Sequence, residues 1–286
     1  MPELHADCLT YLEELRALAL PAATPAEIRA RYGALCARYA GAPAAVPVED
    51  VAGPVPLRLY GEGARLLVWF HGGRMVSGDL GTHDALCREL ARASQGRVLA
   101  VEYRLAPEHP FPAQNEDAAA AVRFASTLSD HVSAGGDSAG AALALAAALE
   151  MPGTLSALVL IYPMLDATCS LASHREFASG PGTSGRDIVL GYKWWLPAGT
   201  DPRDPRVSPL LAPDFSALPR TFVLTCGVDP LRDEGLELVR RLKEAGVAVE
   251  HRHYADHLHG FLTYPARFRA AAQATAEAAA FLAGRG

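Results

Sequence analysis

A five-residue stretch, Gly136-Asp137-Ser138-Ala139-Gly140, constrains the fold of this chain more than any other segment. It lies between a short apolar run at residues 131–135 and an alanine-rich segment at residues 141–149. Two glycines let a backbone turn sharply from a strand into a helix, and such a turn exposes the hydroxyl group of the serine at its centre. Because the pattern also occurs in ordinary turns, its interpretation as a nucleophile elbow depends on the surrounding sequence.

Strand patterns and helix patterns alternate through most of the chain. The strand patterns cover residues 46–51, 55–60, 65–70, 98–103, 131–135, 155–162, 221–226 and 247–254. The helical patterns cover residues 84–93, 113–128, 141–149, 186–196, 232–245 and 264–282. A nearly continuous apolar run, such as residues 65–70, is typical of a strand buried on both faces of a parallel sheet. The alternation predicts an α/β fold with a mostly parallel sheet flanked by helices.

Two regions interrupt this alternation. Residues 1–42 contain two helical patterns with a break around Pro21, and Thr24 with Glu27 has the spacing of a capping box. These helices carry no motif of their own, so they are candidates for core helices, a cap over a site or an oligomer surface. Residues 166–219 are rich in turns, which predicts an insertion between two strands, part of which folds over the sheet.

Composition and charge limit the classes of partner. The chain has 286 residues, half of them apolar, and a net charge of -6. A chain of this length and composition fits either a single α/β domain with a small accessory cap or two domains. We predict a single domain that spans residues 1–286. Because no run of basic residues occurs, we expect neither a nucleic acid nor a membrane surface as a partner.

The same composition bears on compartment and cofactors. The N-terminal residues lack the basic and apolar blocks of a secretory signal, and no apolar run reaches the length of a membrane span, so we expect a soluble, cytoplasmic protein. The five cysteines have no Cys-x-x-Cys spacing and no histidine at ligand offsets. No glycine-rich phosphate loop opens a helix. The sequence therefore indicates no metal and no other cofactor.

A serine hydroxyl needs two further side chains before it can act as a nucleophile in acyl transfer. A base must accept its proton, and a carboxylate must hold that base in the correct tautomer. Reacting groups of doubly wound sheets collect at the carboxyl ends of the strands. Asp229 follows the strand pattern that ends at Cys226, and His259 follows the last strand pattern. The chain order Ser138, Asp229, His259 is the order expected for an α/β-hydrolase triad.

Each of these assignments has a rival nearby in the chain. His257 competes with His259, and His251 and His253 are more remote candidates within the strand pattern. The Gly-Phe sequence that follows His259 favours His259, and it leaves His257 as an exposed or cap-facing partner of Asp256. Asp233 competes with Asp229, but its position is typical of a helix start, where a carboxylate favours the positive end of the helix dipole.

The oxyanion that forms on an attacked carbonyl needs hydrogen-bond donors. The sequence His71-Gly72-Gly73 ends an earlier strand pattern, and glycines at such a position can turn backbone N–H groups towards the serine. Ala139, directly after the nucleophile, supplies another N–H. We therefore predict an oxyanion hole formed by Gly72, Gly73 and Ala139. For Asp137 we prefer a structural role, in which its carboxylate holds the elbow through backbone hydrogen bonds.

Seven further motifs accompany the Gly-Asp-Ser-Ala-Gly stretch in collinear order between about residues 60 and 265. They are His71-Gly-Gly, Tyr103-Arg-Leu-Ala-Pro-Glu-His-Pro-Phe-Pro-Ala, Leu160-Ile-Tyr-Pro, Asp201-Pro-Arg-Asp-Pro, Ser208-Pro-Leu, Asp229-Pro-Leu-Arg-Asp-Glu-Gly and His259-Gly-Phe. Together they resemble the hormone-sensitive-lipase-like family of α/β-hydrolase serine esterases. Eight ordered motifs are far more specific than any one of them.

The resemblance implies a fold and an activity. The expected fold is an eight-stranded α/β-hydrolase sheet with a small helical cap, contributed by about residues 1–42 and about residues 166–219. The expected activity is that of a carboxylesterase on short- to medium-chain esters. The family pattern implies Ser138 as nucleophile, His259 as base and Asp229 as the residue that orients the base, with oxyanion donors from the His71 loop and Ala139.

The chain departs from the family pattern after His-Gly-Gly. Relatives usually continue with a third glycine and an aromatic residue, whereas this chain has Arg74 and Met75. If the third position donates an N–H group to the oxyanion, arginine still provides one. The Arg74 side chain either forms a structural ion pair or lines the substrate pocket together with Met75, where it favours an acidic or strongly polar substrate. Trp194 is a candidate for a wall of that pocket, with core packing as the alternative.

The sequence therefore predicts a serine carboxylester hydrolase that acts on a small-molecule ester through an acyl-enzyme intermediate. An amidase, a lactonase or a natural-product deacylase with the same triad remains an alternative. A receptor on the same fold that binds without turnover is a further alternative, although the retained His259 argues against it. The last strand pattern, residues 247–254, is a candidate edge for pairing in a homodimer.

Overall fold

One eight-stranded sheet forms the centre of the protein. The computed structural model describes residues 3–20 and 22–284, so the break predicted at Pro21 lies outside the described residues. The strands, numbered in chain order, are β1 (Val48–Val51), β2 (Leu57–Gly61), β3 (Arg65–Phe70), β4 (Arg97–Val101), β5 (His131–Asp137), β6 (Leu158–Ile161), β7 (Thr221–Val228) and β8 (Val249–Leu258). Their order across the sheet is β1-β2-β4-β3-β5-β6-β7-β8.

The sheet is mostly parallel. Neighbouring strands pair in parallel along β4, β3, β5, β6, β7 and β8. Strand β2 runs antiparallel to its neighbours β1 and β4. The carboxyl ends of β5, β7 and β8 therefore lie at the same edge of the sheet. This edge is where the sequence predicts Ser138, Asp229 and His259.

Helices cover both faces of the sheet. In chain order they are α1 (Ala6–Leu18), α2 (Pro25–Tyr39), α3 (Asp84–Ser94), α4 (Ala113–Leu128), α5 (Ala139–Glu150), α6 (Ala172–Glu176), α7 (Gly185–Trp195), α8 (Arg232–Glu244) and α9 (Ala270–Leu282). Residues of α4, α5, α7 and α8 pack in one hydrophobic cluster, and residues of α1, α2, α3 and α9 pack in another. None of the helices in the described part of the chain is both long and apolar enough to cross a membrane.

Strand β3 shows why the sequence of residues 65–70 is almost entirely apolar. Leu66, Val68 and Phe70 belong to the cluster on the α5 face, whereas Leu67 and Trp69 belong to the cluster on the α3 face. Successive side chains of a strand point to opposite faces, and both faces of β3 are covered. The predicted α/β architecture is confirmed.

The start of the last helix and the end of the last strand differ from the sequence prediction. The last helix begins at Ala270, whereas the helical pattern begins at residue 264. Before it, the N–H groups of Arg267 and Phe268 both donate to the carbonyl oxygen of Tyr264, which forms an isolated turn. Tyr264 and Phe268 have helical spacing, so periodicity alone does not separate the turn from the helix. Strand β8 extends to Leu258, so His259 follows it directly.

Helix α2 begins as the sequence predicts. At α2, the hydroxyl of Thr24 accepts a hydrogen bond from the N–H of Glu27, and the Glu27 carboxylate accepts one from the N–H of Thr24, with Pro25 at the first helical position. This capping box satisfies backbone donors that would otherwise lack partners at the helix start.

Candidate active site

The turn between β5 and α5 has the geometry of a nucleophile elbow. Ser138 has φ 54° and ψ -117°, a strained conformation for a residue with a side chain. A Cβ atom at Gly136 would lie 2.4 Å from the carbonyl carbon of Gly140, and one at Gly140 would lie 1.9 Å from the carbonyl oxygen of Phe70. Only glycine fits at either position, which explains the pattern that flanks the serine.

Three side chains meet above the elbow in a hydrogen-bonded chain. Nε2 of His259 lies 3.0 Å from Oγ of Ser138, and Nδ1 of His259 lies 2.8 Å from Oδ2 of Asp229. In this arrangement the serine hydroxyl donates to Nε2, and the Nδ1–H group donates to the carboxylate. Asp229 is fully buried and accepts a further hydrogen bond, of 2.7 Å, from the N–H of Leu231. The carboxylate is therefore held in place before substrate arrives.

The rival residues lie elsewhere. Nδ1 of His257 lies 2.7 Å from Oδ1 of Asp256, and its ring stacks on His5 at a centroid distance of 5.0 Å. Of the two predicted environments for His257, exposed or cap-facing, the structure shows a buried side chain that faces the start of the N-terminal helix. Asp233 accepts a hydrogen bond of 2.8 Å from the N–H of Ser173.

The predicted oxyanion loop follows β3, and one of its predicted donors is already used. The N–H of Gly72 donates to Oδ1 of Asp137 at 3.0 Å, so the prediction of Gly72 as an oxyanion donor is wrong. The Asp137 carboxylate thus has a structural role through a backbone hydrogen bond, but this bond links the elbow to the loop after β3 rather than closing the elbow turn itself. A Cβ atom at Gly72 would lie 2.3 Å from Oδ2 of Asp137, so the close approach requires glycine.

A buried histidine completes this link. Nε2 of His83 lies 3.0 Å from the same Oδ1 of Asp137. Burial alone would raise the pKa of Asp137, but the charge and hydrogen bond of His83 lower it below its ordinary value. Asp137 therefore stays ionised beneath the loop, where it accepts both hydrogen bonds. The sequence carried no signal for His83, which lies 54 residues from Asp137 in the chain.

Gly73, Arg74 and Ala139 have backbone N–H groups that are not used by other described residues. No hydrogen bond from the N–H of Gly73 or Arg74 occurs within the described part of the chain. Ala139 is the first residue of α5, and the first N–H groups of a helix have no intrahelical acceptor. Arg74 has φ 59°, an uncommon value for a residue with a side chain. The N–H group at the third loop position is thus available as a donor.

A cavity of about 240 Å³ lies above these groups. Its lining includes Ser138, His259, Gly73 and Arg74 from the sheet side. The rest of the lining comes largely from α1, α2 and the start of α7, with Tyr11, Leu15, Arg31, Tyr32 and Asp187 among its residues. Sequence reasoning missed these residues, because the N-terminal helices contain no motif and their helical pattern does not show what they face.

Two predicted pocket residues do not line this cavity. Met75 is fully buried in the hydrophobic cluster on the α5 face, where an apolar side chain of its size packs below the loop. Trp194 lies seven residues after Asp187 on α7, which places it about 10 Å further along the helix. Its neighbour Trp195 is buried and donates from Nε1 to the side-chain oxygen of Gln114 at 2.8 Å. Core packing therefore describes Trp195, whereas the half-buried Trp194 belongs neither to the cavity lining nor to either hydrophobic cluster.

Arg74 has features of both of its predicted roles. It lines the cavity, and its Nη1 lies 3.6 Å from Oδ1 of Asp187 in α7.

Metal ligation is a separate matter. Among residues 3–20 and 22–284, no group of three or more histidine, cysteine, aspartate or glutamate side chains is arranged to hold a metal ion.

Comparisons with known proteins agree with this geometry. A family model described as alpha/beta hydrolase fold matches residues 67–263. Carboxylic ester hydrolase LipN of Mycobacterium tuberculosis is 40% identical over 260 residues, which cover 82% of this chain and 69% of that relative. Ethyl acetate hydrolase of Pseudomonas putida is 37% identical over 216 residues, or 68% of each chain.

Solved structures extend the similarity to almost the whole chain. An ester hydrolase from the metagenome of Lake Arreo superposes with a TM-score of 0.91 at 34% identity and covers 98% of both chains. An esterase of Pyrobaculum calidifontis superposes with a TM-score of 0.91 at 30% identity, again over 98% of both chains.

Proposed function

The chain belongs to the hormone-sensitive-lipase-like family of α/β-hydrolase serine esterases, and we propose that it hydrolyses carboxylic esters of small molecules through an acyl-enzyme intermediate on Ser138. The observation that carries this proposal is the hydrogen-bonded chain from Ser138 through His259 to Asp229 beside a cavity. A serine, a base within hydrogen-bond reach and a carboxylate that orients the base are the three groups that this chemistry needs.

The reaction follows from the positions of these atoms. Oγ of Ser138 attacks the ester carbonyl carbon while its proton passes to Nε2 of His259. The tetrahedral intermediate collapses, the bond to the alcohol oxygen breaks, and His259 gives its proton to the departing alcohol. Water then attacks the acyl-enzyme with His259 again as base, and the acid leaves as Ser138 recovers its proton. The carboxylate of Asp229 orients His259 through Nδ1 and stabilises the histidine when it is charged.

The oxyanion in this scheme is stabilised by backbone N–H groups. We assign this role to Gly73, Arg74 and Ala139, since Gly72 donates to Asp137. Fixed donors need no reorganisation during the reaction, and the loss of one typically lowers turnover by about 10² to 10³-fold. The Asp137 carboxylate serves this arrangement indirectly, because it holds the loop that carries two of the three donors.

The organisation around the site is part of the same proposal. We propose that α1, α2 and residues 166–219 form a cap on a single domain of residues 1–286. A cavity of about 240 Å³ is smaller than the range of about 300 to 1,000 Å³ common for ligand sites, which supports a preference for short acyl chains. Strand β8 forms an edge of the sheet, which supports pairing of two copies along it in a homodimer. A cytoplasmic location stays a prediction.

Hydrolysis of a p-nitrophenyl ester series, from acetate to palmitate, tests the proposed function. We expect turnover to be fastest with short acyl chains and to fall by about 10⁶-fold in Ser138→Ala. The anilide that corresponds to the best ester, assayed in parallel, separates an esterase from an amidase. Binding of these esters without any turnover would instead favour the receptor alternative.

A further inference from the structure

The cavity above Ser138 is lined by more cationic than anionic side chains that are free to interact. Arg31 and Arg74 both line it, and the acidic residues in its lining are Asp137 and Asp187. The Asp137 carboxylate is occupied by His83 and by the N–H of Gly72. Within the described lining, Asp187 is thus the one carboxylate left for two guanidinium groups.

Asp187 is itself largely committed to its own helix. Its Oδ2 accepts hydrogen bonds from the N–H of Ser184 at 2.9 Å and from the Ser184 hydroxyl at 2.6 Å, which is the capping box of α7. Its Oδ1 lies 3.6 Å from Nη1 of Arg74, and the same Nη1 donates to the Asp187 carbonyl oxygen at 3.3 Å. Both contacts are long compared with about 2.7 to 2.9 Å for a strong charge-assisted hydrogen bond.

Arg31 has even fewer partners. Its Nη1 donates to the carbonyl oxygen of Leu20 at 3.3 Å, and no carboxylate of the described residues lies within ion-pair distance of it. Arg29, two residues earlier on α2, is different. It forms an ion pair with Glu108 and donates from Nε to the carbonyl oxygen of Val76 at 2.8 Å. The same helix therefore carries one arginine with strong partners and one with donors free towards the cavity.

The two cavity arginines also affect each other. Burial lowers the pKa of the Arg74 guanidinium, the Asp187 carboxylate opposes this shift, and the charge on Arg31 adds to it. The two cations are thus close enough to repel each other. An anion between or beside them would remove this repulsion and accept hydrogen bonds from unused N–H groups, since each guanidinium has five N–H donors in total.

We propose that this cavity selects esters that carry a second, anionic group, a carboxylate, which Arg31 and Arg74 bind while Ser138 attacks the ester carbonyl. The inference rests on the proposed esterase function and names its substrate class. The position of Arg74 directly after Gly73 places its side chain close to the reacting carbonyl. The carboxylate therefore lies on the same small molecule, a few bonds from the scissile ester.

Matched pairs of anionic and neutral esters test this inference. The first pair places the charge on the acyl side: 4-nitrophenyl hydrogen adipate and 4-nitrophenyl methyl adipate. The second pair places it on the alcohol side: 4-(butanoyloxy)benzoate and its methyl ester. The readout is the ratio of kcat/KM for the anionic ester to kcat/KM for the neutral ester. This ratio is compared between proteins, so that differences in ester reactivity cancel.

We expect the wild-type ratio to exceed one for at least one pair, and Arg31→Gln to lower that ratio by about tenfold, as the loss of one charge-assisted hydrogen bond does. Arg31→Lys should retain part of the preference, because it keeps the charge. Arg38→Gln, which removes an exposed charge from the same helix outside the cavity, is the matched control and should leave the ratio unchanged.

Equal ratios in wild type and Arg31→Gln for both pairs would overturn the inference while leaving the esterase function intact. If no member of either pair is hydrolysed, the esterase function fails instead. In that case calorimetric binding of 4-(butanoyloxy)benzoate to Ser138→Ala still decides the inference. Tighter binding than that of the methyl ester, weakened by adding Arg31→Gln, supports it, and equal binding of the two compounds refutes it.

Discussion

The two sides of the cavity are built in different ways. The sheet side, which we call the floor, comprises the elbow, Asp229, His259 and the loop of residues 71–75. The helical side, which we call the wall, comprises the lining residues of α1, α2 and α7. In the floor, glycines lie where a Cβ atom would be 1.9 to 2.4 Å from other atoms, and the hydrogen bonds that hold the catalytic side chains and the loop measure 2.7 to 3.0 Å. Contacts of the wall are longer: Arg31 donates to the carbonyl oxygen of Leu20 at 3.3 Å, and Asp187 meets Arg74 of the floor at 3.3 to 3.6 Å.

This difference separates chemistry from selectivity. Groups that share backbone turns and buried hydrogen bonds have little freedom, so substitutions in the floor should have large effects on turnover or folding. Side chains that reach from helices into a cavity can change with little effect on the fold. Substitutions in the wall should therefore change which ester reacts rather than whether an ester reacts.

The largest effect is expected from removal of the base in the floor. His259→Ala should lower kcat by about 10⁶-fold, because among the described residues His259 is the base within hydrogen-bond distance of Oγ of Ser138. His257→Gln is the matched control, since His257 contacts Asp256 and His5 rather than the serine. Assays with p-nitrophenyl butyrate measure both. A large loss in His257→Gln with a folded protein would contradict the assignment of the base.

A substitution at the elbow should affect both folding and activity. Gly140→Ala places a Cβ atom 1.9 Å from the carbonyl oxygen of Phe70, so we expect a loss of about 3 kcal/mol or more in the free energy of unfolding, together with loss of activity. Gly33→Ala is the control, because a Cβ atom there has no neighbour within 4 Å in the described structure and α2 favours alanine. Urea unfolding distinguishes them. Equal stabilities would show that the elbow tolerates a side chain.

The floor should also be sensitive to acid. Burial, together with the charge of His83, lowers the pKa of His71 to about 4. A histidine in an unfolded chain has a pKa of about 6.5. Between these values the unfolded state binds more protons, so stability that is present above the unfolded pKa is lost as the pH falls towards the folded one.

A variant isolates this contribution. His71→Asn keeps a donor near the Gly72 carbonyl oxygen, which Nδ1 of His71 approaches to 2.8 Å, but it does not titrate. Between about pH 7.5 and about pH 5, the free energy of unfolding should fall by about 2 kcal/mol more in wild type than in this variant. Urea unfolding at both pH values measures the difference. Parallel pH dependence in the two proteins would contradict a buried neutral His71.

The smallest effect is expected from an apolar residue of the wall. Leu15 lines the cavity and Leu15→Ala widens it. The ratio of kcat/KM for p-nitrophenyl hexanoate to that for the butyrate should rise by about tenfold, which is the lower end of what one or two methylene groups contribute in a pocket. Leu12→Ala removes a side chain of the same size from the same helix outside this lining. A similar rise in both variants would contradict the role of Leu15.

The difference between floor and wall also explains which site residues could be predicted from the sequence. The elbow and the three residues of the catalytic chain follow strand ends, and strand ends can be read from apolar patterns. Gly72 was assigned wrongly because its partner, Asp137, lies 65 residues away and competes for its N–H only in the folded chain. Arg31 was missed because a helix without a motif gives no indication of what its polar residues face. Met75 was misplaced because position in a loop does not determine whether a side chain points into a cavity or into the core.

Covalent labelling of Ser138 is the most direct test of the central claim. Diethyl p-nitrophenyl phosphate transfers its diethylphosphoryl group to an activated serine oxygen and releases p-nitrophenolate. The account predicts one group per chain, located on Ser138 by peptide mass spectrometry, with esterase activity lost in proportion and no label in Ser138→Ala. Activity that survives complete labelling of Ser138, or inhibition by a label on a different residue, would contradict it.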